Sequence, residues 1–80
     1  MRLTSVFSRN LRLLRHSAGL TQEQLARRAG CDRNYVGKLE REESSPTLVT
    51  LEAIALALQI EAEFLLKRDI SREISSNRQS

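Results

Sequence analysis

The sequence predicts an all-α protein, a compact bundle of five helices. Apolar residues recur at helical intervals along most of the chain, as in Phe7, Leu11 and Leu14, or Leu51, Ile54, Ala55 and Leu58. Residues that start and stop helices stand where those runs begin and end: Thr21 with Gln24 three later, Gly19, Gly30 and Thr47. No segment alternates apolar and polar residues as a half-buried strand does, and no internal repeat is present.

Each element follows from its own residues. Helix one is expected over about residues 4–17, with Phe7, Leu11 and Leu14 inward among arginines, and Gly19 ending it. Thr21 and Gln24 form a capping-box pattern that starts helix two near Gln22, and Leu25, Ala26 and Ala29 share its inner face. Gly30 breaks that pattern and suits a left-handed turn. Asp32 can cap helix three, expected over about residues 33–40 and anchored by Val36 and Leu39. Residues 42–46 read as a loop. Thr47 starts helix four, with Leu48, Leu51, Ile54, Ala55 and Leu58 as its inward stripe. A fifth, shorter helix is expected over residues 61–67, with Phe64 and Leu65 facing in. The domain is expected to span residues 1–70. Residues 71–80, rich in Ser, Asn, Gln and Arg, form a polar and flexible tail.

Composition limits the function classes. Eighty residues make one domain with a modest core, since a chain this size buries only about 60–65% of its unfolded surface. A single cysteine allows no internal disulfide, which fits a reducing compartment. Residues 1–20 carry four arginines and no uninterrupted apolar run, so they do not read as a signal peptide. No run approaches the roughly 20 apolar residues of a membrane span, so a cytoplasmic protein without a membrane partner is expected. Enzyme chemistry finds no footing: the one histidine, His16, has no second ligand or base at a telling spacing, and no Gly-rich phosphate loop is present. No metal, cofactor or small-molecule effector is implied. Cys31 reads as a small buried hydrophobe.

The charge is unevenly divided. Residues 1–45 have nine Lys/Arg against five Asp/Glu, whereas residues 46–66 have three carboxylates and no base. The basic half also contains residues 22–41, two short helices hinged at a glycine. With Val36 and Leu39 turned inward, Arg33, Asn34, Tyr35 and Lys38 remain outside. A polar helix held steeply by a tight turn is a device for entering a DNA major groove. Arg33 suits guanine O6/N7 and Asn34 suits adenine N6/N7, both in bidentate fashion. Lys38 lies farther along that face, within reach of a base or a phosphate; Tyr35 can stack or offer its hydroxyl to a phosphate. Double-stranded DNA is therefore the expected partner.

The chain resembles the phage repressor/Cro type of helix-turn-helix regulator from about residue 7 to residue 66. The matching segments are F-S-x-x-L-R-x-L-R, G-L-T-Q-E-Q-L-A, A-G at the turn, Y-V-x-K-L-E-R and P-T-L-x-T-L-x-x-I-A-x-A-L. The short length and the D-R-N-Y opening of helix three look most like controller proteins of restriction–modification systems. This resemblance implies a transcriptional regulator in which Gln22 and the start of helix two clamp a phosphate. It implies an ion pair between Arg15 and Glu40, with Arg15 also near enough to approach the DNA backbone. Arg41, Ser44 and Ser45 become candidate phosphate contacts. In that loop many members carry glycine and basic residues. Here Glu42 and Glu43 replace them, and the loop is expected to turn away from DNA.

One reading helix covers only a few base pairs, so a homodimer on a roughly palindromic operator is expected. Leu66 and Ile70, with Ile60 nearby, fall at or after the end of the last helix and are expected to form an exposed self-complementary patch, the alternative being that Ile60 and Leu66 close the monomer core. The competing class is an antitoxin-type module that binds a protein partner as well as its own operator. The short polar tail favours the pure DNA binder.

Overall fold

In the computed structural model, described over residues 2–70, four α-helices and one 3-10 helix enclose a single core. They are α1 (Leu3–Ser17), α2 (Gln22–Ala29), α3 (Tyr35–Glu40), α4 (Leu48–Leu58) and the 3-10 helix Ala62–Leu66. The expected polar tail lies outside the described residues. Every helix contributes to the core: Phe7, Leu11 and Leu14 from α1, Leu25 and Ala26 from α2, Val36 and Leu39 from α3, and Leu51, Ile54 and Ala55 from α4.

The helix ends share one device. In all four α-helices a backbone N–H just past the end reaches the carbonyl five residues back: Leu20 to Arg15, Cys31 to Ala26, Glu43 to Lys38 and Ile60 to Ala55. This closure places the preceding residue in the left-handed region. Gly19 and Gly30 fill two of these positions at φ +73°, without steric cost. Glu42 and Gln59 fill the other two at φ +60°, where a side chain is strained. The N-termini behave as their residues dictate. Thr21 Oγ1 accepts from Gln24 N while Gln24 Oε1 accepts from Thr21 N, and Thr47 Oγ1 accepts from Thr50 N.

The fifth α-helix expected over residues 61–67 is a 3-10 helix of five residues. Asn10, fully buried in α1, holds the end of this segment. Its Nδ2 donates to Leu65 O at 2.9 Å and to Lys67 O at 2.6 Å, engaging carbonyls near the end of this short segment. Nearby, the guanidinium of Arg9 donates to Arg68 O. These bonds bind the end of the domain along α1, and Ile70 follows them into the core at 1% exposure. Ile70 is therefore not part of a water-facing patch: it packs inside one chain. Ile60 and Leu66 are half-buried against the same core.

Helix α4 also departs from expectation. Leu51, Ile54 and Ala55 are inside and Leu58 is half-buried, but Leu48 is 82% exposed. Leu48 sits in the first turn, before the helix crosses the core. Val49 and Leu56 are 78% and 73% exposed, so the outer face of α4 is largely apolar, with the exposed Glu52 between Leu48 and Leu56.

Candidate nucleic-acid interface

The surface of interest is built by α2, its turn and α3. Ala26 is completely buried, a small residue in the core beneath the turn. Gly30 then reverses the chain, and the Asp32 carboxylate accepts from Asn34 N at 2.9 Å while its carbonyl accepts from Tyr35 N. Those two bonds form a turn that delays the helix. As a result α3 begins at Tyr35, two residues later than expected, and Arg33 and Asn34 stand in the turn that leads into it. Val36 and Leu39 are fully buried and orient the helix. Asn34 and Lys38 are exposed on its outside. Tyr35 is not free on the surface as expected: it is half-buried against the core.

Arg33 Nη2 contacts Glu23 Oε1 at 2.8 Å, joining α2 to the start of α3. Arg33 is nevertheless 72% exposed, so its guanidinium remains available from outside. Glu23 has no part in the sequence reading, because nothing in a ten-residue separation marks the pair. Cys31 lines the same hollow beside Glu23, Arg27 and Arg33, and is half-buried rather than fully enclosed.

Beneath this surface lies a buried polar knot. Arg15 Nε donates to Glu40 Oε2 at 2.6 Å, Arg15 Nη2 to Glu40 Oε1 at 3.1 Å, and Arg15 Nη1 to Leu20 O at 2.9 Å. One side chain thus joins α1, the α1–α2 turn and α3. Gln22 Nε2 also donates to Glu40 Oε1, at 3.0 Å. Burial pushes the Glu40 carboxyl up. The Arg15 and Gln22 hydrogen bonds and the charges of Arg15 and Arg12 more than offset this, holding it below the usual carboxylate range.

The loop after α3 disposes of its two carboxylates. Arg41 Nε and Nη2 donate to Glu43 at 2.8 and 3.3 Å. These bonds lower the Glu43 pKa and raise that of Arg41. Glu42 turns the other way and accepts from Ser5 Oγ at 2.7 Å. Ser44 is half-buried and Ser45 exposed. Gln22 and Arg41 both come to rest over Gly37 of α3. Among the described residues, no group of His, Cys, Asp or Glu could hold a metal ion, and no helix is long and apolar enough to cross a membrane.

Two short helices crossing over a buried alanine, the second presenting polar side chains from a buried apolar anchor, match a helix-turn-helix family model over residues 11–65. The chain belongs to that family. It is an HTH-type DNA-binding transcriptional regulator of the Cro/C1 type, a class of regulators and not of enzymes. It is 40% identical over 68 residues to the control protein C.SmaI of Serratia marcescens, covering 85% of this chain and 81% of that one. It is 42% identical over 64 residues to a hypothetical transcription factor of Neisseria meningitidis, covering 80% of this chain but only 60% of that relative. Among solved structures, the Neisseria transcription factor NHTF superimposes with a TM-score of 0.83 at 39% identity, over 90% of this chain and 83% of that one. The restriction–modification controller protein C.AhdI of Aeromonas hydrophila gives 0.75 at 44% identity, over 78% and 94%.

Proposed function

We propose that this HTH regulator binds a roughly palindromic operator as a homodimer and acts as a restriction–modification controller or small autoregulator. The observation that carries the reading is the polar edge made by Arg33, Asn34 and Lys38, exposed above a helix whose Val36 and Leu39 are wholly buried. A helix anchored this way presents one face in a constant orientation. Arg33 and Asn34 read base edges, with Lys38 extending the contact along the groove. Gln22, Arg41, Ser44 and Ser45 meet phosphates on either side, with Tyr35 contributing its hydroxyl. Pairing of Glu43 with Arg41 offsets one of the two loop carboxylates, and Glu42 is turned to the Ser5 hydroxyl of α1.

The dimer face in this reading is the outer side of α4, with Leu48, Val49 and Leu56, flanked by Ile60 and Leu66. A helix at a protein surface has a polar outer stripe. In α4 only Thr50 and Glu52 are polar, and a second copy of the chain supplies the missing cover. The kinship to C.SmaI and C.AhdI supports the controller role. Selection of bound duplexes from random DNA tests the whole reading at once. It should return two inverted half-sites about one helical turn apart. Recovery of a single asymmetric site, or of no preferred sequence, overturns it.

A further inference from the structure

We infer that Gly37 is a positioning residue for DNA binding: its missing side chain makes the seat on which the Gln22 carboxamide and the Arg41 guanidinium lie side by side. The inference rests on the reading that these two side chains meet the phosphate backbone.

Gly37 is an unexpected residue for its place. It lies in the middle of a six-residue helix at negative φ, where alanine would favour the helix and no backbone conformation calls for glycine. It is also buried. Its cover is not the apolar core but two polar side chains. A Cβ built at Gly37 would stand 3.0 Å from Arg41 Nη1 and 3.1 Å from Gln22 Oε1, closer than carbon normally approaches either atom.

Both side chains are held from their other ends. Gln22 is tied through Nε2 to Glu40, itself held by Arg15. Arg41 is tied through Nε and Nη2 to Glu43, which leaves Nη1 as the edge turned toward Gly37. An added methyl displaces the two free ends by a few tenths of an ångström or breaks a tether. Gly37 thus brings a group from the start of α2 and a group from the end of α3 to one place. At that place Arg41 Nη1 is a donor for a phosphate oxygen, whereas the Gln22 atom beside it, Oε1, accepts; Gln22 meets the backbone through the second hydrogen of Nε2.

The test compares the parent with Gly37→Ala on a selected duplex, a panel of single mismatches and a salt series. Gly37→Ala should bind every duplex roughly tenfold more weakly, the loss expected for one hydrogen bond to a charged group. Its base preferences should be unchanged, and the salt slope should be shallower by about 0.9 as one cationic phosphate contact is lost. Its melting temperature should be no lower than the parent's, because alanine favours the helix. In a Gln22→Ala/Arg41→Ala background the same change should have no further effect on binding.

Unchanged affinity and slope in Gly37→Ala overturn the inference. So does a penalty that persists in the doubly substituted background, since the methyl would then be meeting DNA itself. A fall in melting temperature of several degrees overturns it as well, by making the glycine a general packing requirement. A parent that prefers no duplex overturns the underlying reading, and is told apart because the parent itself fails.

Discussion

The carboxamide of Gln22 donates to the Glu40 carboxylate across 3.0 Å, and so links the exposed start of α2 to the buried polar knot at the end of α3. The same carboxylate takes two bonds from Arg15. Fold stability and the surface proposed to meet DNA therefore share one group.

Removal of either member of the Arg15–Glu40 pair should strongly destabilise the fold. Both are nearly enclosed, and the survivor would be a buried charge without its partner. Such losses run to about 3–5 kcal/mol. Urea unfolding of Arg15→Ala, Glu40→Ala and the double variant should give a double-mutant cost well below the sum of the singles. Additive and near-zero effects would identify an ordinary surface pair.

Acid should reveal the same interaction. The Glu40 carboxyl is held below its ordinary value in the folded chain, so its stabilisation is fully present above the unfolded-state pKa of about 4.3. It is lost as pH falls through the lower folded value. The melting-temperature gap between the parent and Glu40→Gln should be constant from about pH 7 to pH 5 and should narrow below the usual carboxylate range. A gap that stays constant throughout the acid range would show that Glu40 carries no depressed pKa.

Arg33 should separate binding from stability. Its pair with Glu23 is exposed at both ends, and such pairs contribute about 0–1 kcal/mol. Arg33→Ala should therefore melt close to the parent, yet lose about 1–3 kcal/mol on the preferred duplex and relax base choice at one position. Gln22→Ala should weaken all duplexes alike. A mismatch panel that cannot distinguish the two variants would remove Arg33 from the readers.

The outer face of α4 should govern association. Leu56→Glu should yield monomers in sedimentation velocity, with helix content unchanged and operator binding weakened. Ile70→Ala should behave oppositely, costing about 2–5 kcal/mol of stability as a core truncation, because Ile70 is enclosed within one chain. Dimers that survive Leu56→Glu would place the interface elsewhere.

Gln59 offers a stabilising change. It closes α4 at φ +60° and is exposed, so glycine there relieves strain and removes no core contact. Gln59→Gly should add about 0.5–1 kcal/mol, read as a rise of several degrees in melting temperature. A lower melting temperature would mean that the Gln59 side chain stabilises the domain by more than its backbone costs.

The sequence by itself determined what depends on neighbours along the chain. The all-α class, Thr21 and Thr47 as caps, Gly30 in the turn, and the inward set around Leu11, Leu25, Val36, Leu39 and Ile54 all follow from intervals of one to four residues. Tertiary structure decided what depends on contacts between distant segments. Asn10 engages two carbonyls 55 and 57 residues away at the 3-10 helix that stands in place of a fifth α-helix, and the same strap carries Ile70 into the core. One departure is local: Asp32 holds Arg33 and Asn34 in a turn ahead of α3 through bonds to residues two and three later, although a helical wheel would place them within the helix. Glu23 meets Arg33, and Gln22 and Arg41 meet over Gly37, only because two helices cross. Periodicity reports which face of a helix is apolar, but not whether a neighbouring helix or a second chain covers it. That is why Leu48, counted in the inward stripe of α4 by its spacing, stands in water beside Val49 and Leu56.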